Sequence, residues 1–423
     1  MIIILLFCLC IANKNYEVYG SIPYLSKNED LQLEKHLEII NKPPIKTIHT
    51  EFGRIVDCID INKQLAFDHP LLKNHKIQLK SSFQDAHTNV KTHDISGRYL
   101  KIGLDKDSCP EGTIPVQRTT KEDLIRSKRL SNNFGTLTQF DTGSHVGSLM
   151  SIALYLQEVV WTLKHRSWGK RFDLQFAGLR FNISTTLFGI AGSISVYNPP
   201  IETGEMSSAY IWLSSGETDT PVNDHMYIHA GWQVFPGLSG DKKSHFFVEW
   251  QNSIEGTGCT NSLCPGFVQT STKIYIGSPF SNVSSVGGPQ FSMLLYLAQD
   301  PNTKNWWLRA QDMDVGYFPA TLFSNKLDHA SKGGWTGQTQ IFGDGPSPPM
   351  GSGQFAGANI LTSCYISNLY IKDSQRNDRA PHADEVHVYF DKPLCYDANY
   401  VDNLRDDLQR VVLFGGPGGF CGL

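Results

Sequence analysis

Residues 171–184 read RFDLQFAGLRFNIS, and this stretch decides the fold class. Aromatic and aliphatic residues alternate with polar ones at the short period of a half-buried strand, and no helical period runs beneath them. The same texture recurs in SAYIWLSS (208–215), HFFVEW (245–250), KIYIGSP (273–279) and PQFSMLLYLAQ (289–299). Turn formers separate the runs: Pro199-Pro200, Gly287-Gly288, Gly333-Gly334 and GDGPSPPMGSG at 343–353. No helix long enough for repeated βαβ units and no fixed-period repeat is evident. The expectation is an all-β C-terminal domain, an antiparallel β-sandwich over 163–423.

Toward the N-terminus the composition changes. Residues 21–134 carry 33 charged side chains in 114 positions, against 43 in 289 from Gly135 onward. The step predicts a smaller domain of mixed α/β character over 21–134, with 135–162 as linker or junction. Leu31, Leu33, Leu37 and Ile40 give Glu29–Ile39 an imperfect apolar face before Pro43 and Pro44 stop the helix. A second helix is expected in TTKEDLIRSKR, with Thr120 as N-cap and Asp123 in its first turn. The Lys128-Arg129 pair at its end reads as exposed, either a solvated linker or the place where a processing protease would separate the domains.

The formal net charge of the 423 residues is only -4, which predicts no nucleic-acid partner. The run MIIILLFCLCIA at 1–12 falls far short of the roughly 20 residues that span a membrane. Followed by Gly20 and Ser21, it reads as a signal peptide over 1–20, so no membrane insertion is expected of the mature form. Its removal takes Cys8 and Cys10 and leaves seven cysteines bound for an oxidising compartment. One pairing among several takes them in chain order, Cys58 with Cys109, Cys259 with Cys264 and Cys395 with Cys421. Cys364, in the apolar stretch ILTSCYISNLYI, is then a buried inert thiol. Asn182 and Asn282 begin glycosylation sequons.

Conventional catalytic signatures are lacking. There is no HExxH, GxSxG, P-loop or dinucleotide fingerprint, and no cofactor is expected. Cys259-x4-Cys264 has no second pair at zinc spacing, and alternation places His382 and His387 on opposite strand faces, so no metal is expected. Asp141-Thr142-Gly143-Ser144 resembles an aspartic-peptidase loop, but no second DTG or DSG supplies the partner carboxylate, and it reads as an ordinary turn.

Three segments carry more information: YIHAGWQVFPGLSGDKKSHFFVEWQNSIEGTGCTNSLCPGFVQT (227–270), NWWLRAQDMDVGYFPATLF (305–323) and GGWTGQTQIFGDGPSPPMGSGQF (333–355). They resemble the plant neprosin family of glutamic endopeptidases. KTIHTEFGRIVDCIDINKQLAFDHPLLKNHKIQLK (46–80) and CPEGTIPVQRT (109–119) resemble its activation-peptide domain. The resemblance implies a secreted protein, extracellular, in the cell wall or held in the secretory pathway or vacuole. It also implies an N-terminal prodomain as an intramolecular partner and a sandwich in which two glutamates from facing strands activate water and polarise the scissile carbonyl, with cleavage after proline.

This chain departs from the family pattern at both glutamates. The first belongs immediately before Ala230-Gly231-Trp232, where His229 stands; the second follows Trp335-Thr336-Gly337, where Gln338 stands. The expected function is therefore a secreted peptidase homologue that is degenerate at both positions, a pseudoenzyme binding peptide or proline-rich cell-wall protein. The alternative is an active endopeptidase with His229 as a base of near-neutral pKa, Gln338 as oxyanion donor and Glu249 as a displaced acid. Glu249 and Glu255 are the nearest substitute acids, ahead of Glu202 and Glu205. Alternation places Phe247, Glu249 and Gln251 on one strand face and Phe246, Val248 and Trp250 on the other.

Overall fold

The computed structural model describes residues 27–82, 100–104, 107–133, 172–182, 185–216, 225–343, 345–357, 359–402, 404 and 410–422. The signal segment 1–20, the linker 135–162 and the Asp141-Thr142-Gly143-Ser144 turn lie outside the described residues.

The N-terminal part has mixed α/β character. Helix α1 (Lys27–Ile40) ends shortly before Pro43 and Pro44; strands β1 (Pro44–His49), β2 (Ile55–Asp60) and β3 (Thr113–Gln117) form one antiparallel sheet, and α2 (Lys121–Asn133) follows. The start of α2 is a reciprocal cap: the Thr120 amide and hydroxyl donate to the Asp123 carboxylate at 2.7 and 2.8 Å, and the Asp123 amide donates to Thr120 Oγ1 at 3.2 Å. Leu33 and Ile40 bury against Leu124 between the two helices. Lys128 and Arg129 do not end α2, which continues to Asn133, and Lys128 Nζ pairs with Glu29 of α1 at 3.3 Å. A protease would have to unwind the last turns of this helix to cut there.

From residue 172 the regular structure among the described residues is almost entirely strand. In order come β4 (Phe172–Phe181), β5 (Gly189–Ser195), β6 (Glu205–Ser214), β7 (Met226–Val234), a short helix α3 (Pro236–Ser239), β8 (Ser244–Asn252), β9 (Thr257–Thr260) and β10 (Val268–Gln269). Then follow β11 (Ser292–Gln299), β12 (Trp306–Ala310), β13 (Met313–Phe318), β14 (Lys332–Phe342), β15 (Cys364–Lys372), β16 (Asp378–Arg379), β17 (Val386–Phe390), β18 (Asp397–Val401) and β19 (Val411–Gly415). Among the described residues they make two antiparallel sheets, one of seven strands in the order β17-β4-β14-β6-β7-β8-β9 and one of nine built around β11-β5-β15. This is an antiparallel β-sandwich.

Alternation along each strand explains why the sheets stack. Ala209, Ile211 and Leu213 of β6, Ile228, Ala230, Trp232 and Val234 of β7, and Phe246, Val248 and Trp250 of β8 all enter one shared core. Two tryptophans tie the sheets through their indole N–H groups: Trp232 donates to the Ser195 carbonyl at 2.9 Å and Trp335 to the Ala191 carbonyl at 2.8 Å, both on β5. The sulfur pairs formed are Cys58–Cys109, Cys259–Cys264 and Cys395–Cys421. Cys364 is a buried free thiol that burial pushes up to about 12, against the hydrogen bond from Ser195. Alkylation of the native protein at pH 8 should leave Cys364 unmodified, and unfolding in guanidinium should expose it; labelling before unfolding would contradict this burial.

Candidate functional site

One face of the seven-stranded sheet lines the core; the other carries the residues singled out above. In the β6–β7 register His229 faces Trp212 and Gly231 faces Tyr210; in the β7–β8 register His229 faces Glu249. Across β14 and β6, Gln338 pairs with Ser208 and Thr336 with Tyr210. Strand order thus brings His229, Gln338 and Glu249 onto one surface, with Tyr210 between the first two.

The side chains form a continuous row. Tyr210 donates its hydroxyl to Gln338 Oε1 at 2.7 Å. Its ring stacks on His229, with centroids 4.6 Å apart and planes 13° apart. The other side of the imidazole stacks on Tyr227 at 4.3 Å, and the Tyr227 hydroxyl donates to Glu249 Oε1 at 2.6 Å. Thr260 closes the row with a hydroxyl hydrogen bond to Glu249 Oε2 at 3.4 Å. Gly231 makes this packing possible: a Cβ there would sit 2.6 Å from the Tyr210 Cα and 2.0 Å from the Ala209 carbonyl oxygen. The Ala-Gly-Trp landmark therefore has a physical meaning, since Ala230 fills the core, Gly231 admits Tyr210, and Trp232 ties the sheets.

The electrostatics follow from this packing. His229 is half-buried between the two rings, and burial lowers its imidazole to about 3, so it is neutral throughout the range in which most proteins work. This differs from the base of near-neutral pKa expected from sequence, because no sequence pattern records that two tyrosines sandwich the ring. Burial also raises the Tyr210 hydroxyl well above its ordinary value, aided by the negative charges of neighbouring acidic groups, and so keeps it a donor. On the flank of the row, Thr336 Oγ1 accepts from the Trp212 indole at 2.8 Å and shares a 2.7 Å hydrogen bond with Tyr389, whose ring lies under the Arg180 guanidinium at 4.5 Å.

The other candidates fall elsewhere. Glu249 is half-buried within the row, whereas Glu255 lies in the turn after β8 and accepts from Ser324 at 2.8 Å. Glu202 is exposed beside Lys242, and Glu205, at the start of β6, accepts from the Glu202 amide. His387 contacts Arg180 and Asn182, and among the described residues no His, Cys, Asp or Glu group suits a metal ion. Tyr210 and Tyr227 are the residues that sequence reasoning missed. Their signal was present: Tyr210 alternates with the core residues Ala209 and Ile211, and Tyr227 precedes His229 by two, which places each on the non-core face.

The described residues thus form a two-sheet sandwich that carries this polar row, preceded by a mixed α/β unit. Residues 203–417 match the Neprosin family and residues 47–146 match the Neprosin activation peptide. The chain belongs to the neprosin family. Among solved structures it is similar to scytalido-glutamic peptidase bound to a peptide-based transition-state analogue, at 8% identity over 58% of this chain and 99% of that one, with a TM-score of 0.31. It is also similar to SCP-B, an eqolisin-family peptidase in complex with the tripeptide Ala-Ile-His, at 7% identity over 58% and 99% of the two chains, with a TM-score of 0.29. Likenesses this distant bear no weight on the chemistry of the row. No helix among the described residues is long and apolar enough to cross a membrane.

Proposed function

We propose that this protein is a noncatalytic neprosin homologue that binds peptide segments, including proline-rich ones, along the row Gln338–Tyr210–His229–Tyr227–Glu249. One observation carries the reading: His229 and Gln338, which we assign to the family glutamate positions, carry no acid group, and each is already engaged by a tyrosine. A glutamine neither takes a proton from water nor delivers one to a leaving amine, and a histidine held near 3 is a weak base. The half-buried His229 and Glu249, beside the buried Tyr210 and Tyr227, offer hydrogen-bonding and aromatic groups that suit the ring and carbonyl of a proline-containing segment. The apolar run at 1–12, read as a signal peptide, and the activation-peptide match support secretion to the extracellular space, cell wall or vacuole, with Asn182 and Asn282, both exposed, as glycan acceptors.

The purified secreted protein, incubated with proline-containing peptides from pH 2 to 8, is expected to show no turnover above the buffer background. It is expected to bind those peptides, with Tyr210→Ala weakening binding roughly tenfold or more. The second reading, an active endopeptidase using His229, Gln338 and Glu249, is favoured by the direct cross-strand pairing of His229 with Glu249. Turnover abolished by His229→Ala would establish that reading and overturn the first.

A further inference from the structure

We propose that the N-terminal unit, residues 27–133, is a permanent subunit of the sandwich: after the chain is cut between Asn133 and Phe172, the two pieces stay together as one folded particle. The proposal goes beyond the reading of the site and does not depend on whether the site is catalytic.

The first observation is where the apolar side chains of the unit lie. Leu72, Leu100 and Ile102 are 0%, 2% and 6% exposed, and they belong to the same core cluster as the two strand tryptophans Trp232 and Trp335. Ala66 packs with Val268, Trp307 and Tyr317, and Tyr275 completes a cluster around the Cys58–Cys109 disulfide. A segment that merely lay over a surface would bury its own side chains against an already closed core. Here the core of the sandwich is closed by residues of the N-terminal unit, and removing that unit exposes apolar surface on both pieces.

The second observation is a backbone seam. The Leu104 amide donates to the Lys273 carbonyl at 3.0 Å and the Cys109 amide to the Thr272 carbonyl at 2.9 Å. Immediately before Leu104, Gly103, at φ +82°, approaches so closely that a Cβ would lie 2.4 Å from the Lys273 carbonyl oxygen. Buried polar groups pair across the same boundary. The Gln269 amide donates to Gln64 Oε1 at 2.8 Å, and the Gln64 amide nitrogen donates back to the Gln269 carbonyl at 3.2 Å. Separation would leave each of these groups to be rehydrated in a site shaped for protein.

The third is the polar end of the sheet. Gln233, four residues beyond His229 on β7, and His245 opposite it on β8 line a cavity of about 70 Å³ whose remaining wall includes Gln117 and Thr119 of the N-terminal unit. Arg54 holds this end together, donating to the Ser239 carbonyl at 2.6 Å and to Asp241 at 2.8 Å. The retained unit therefore contributes part of the surface on which the row of the candidate site ends. Each disulfide stays within one of the two pieces, so retention is noncovalent.

The test uses the full chain with a site-specific protease sequence placed between residues 134 and 171. After complete cleavage, checked on a denaturing gel, both pieces should co-elute in size-exclusion chromatography at the volume of the intact protein, down to concentrations of about 0.1 μM. Elution as two species would overturn the proposal. In the cut Gly103→Val protein the fragments should dissociate at least tenfold more readily than in the cut wild type, and equal retention would also overturn it. If the uncut Gly103→Val chain fails to fold, Arg54→Ala takes its place with the same readout.

Discussion

His229→Glu combined with Gln338→Glu is expected to turn this chain into an acid-active endopeptidase, raising turnover of proline-containing peptides by roughly 10²–10⁴-fold over wild type. The two positions flank Tyr210 on one sheet face, so a bound segment lying over Tyr210 would meet both carboxylates. The desolvation that lowers His229 acts in the opposite direction on an acid, raising its pKa, and a second carboxylate on the same face adds to the rise. One would stay protonated as the other ionises, which supplies the acid coupled to a base that the native pair lacks. Activity should fall as pH rises through the higher of the two values, and the Gln338→Glu single variant should remain far less active than the double. Rates measured from pH 2 to 8 decide the matter; wild-type turnover equal to that of the double variant would refute the explanation.

Asp300→Ala should be among the more damaging polar substitutions, costing about 2–3 kcal/mol through the loss of a buried carboxylate that gathers hydrogen bonds from half-buried and exposed donors. Asp300 is fully buried, and its carboxylate accepts from the Ser82 amide and hydroxyl at 2.6 and 2.7 Å, from Gln78 at 2.8 Å, and from the Asn302 and Thr303 amides at 2.9 and 3.0 Å. It thus clamps the 78–82 segment of the N-terminal unit to the turn after β11. Burial alone would raise its pKa, but these hydrogen bonds together bring it down to about 2. A carboxylate depressed in the folded state contributes stability that is present above its unfolded value and is lost as pH falls through the folded one. The difference in melting temperature between wild type and Asp300→Ala should therefore be largest above pH 4, roughly 2–4 °C, and should shrink toward pH 2. A difference that stays constant over this interval would show that the clamp does not act through the ionised carboxylate.

The helix caps, the strand texture and the Ala-Gly-Trp landmark were legible because each depends on neighbours within a few residues. The alternation of Phe246, Val248 and Trp250 against Glu249 is a period-two pattern that any half-buried strand must show. The length of α2 was underestimated at Lys128-Arg129, where the polar sequence conceals the packing of Lys128 against Glu29 of α1.

The order of the strands in the sheet is of another kind. β14 inserts between β4 and β6 although more than a hundred residues separate it from either. That insertion alone sets Gln338 beside Tyr210, and the pairing of β6 with β7 then sets Tyr210 against His229. The sequence by itself determined the class of fold and the family, since these are written in local pattern and in residue identity. Only the tertiary structure decided that His229 is sandwiched and neutral, that Glu249 is tied to Tyr227, and that Leu72, Leu100 and Ile102 close the core of the sandwich. Burial and pKa depend on which distant side chains come into contact, and cross-strand neighbours are chosen by the whole sheet.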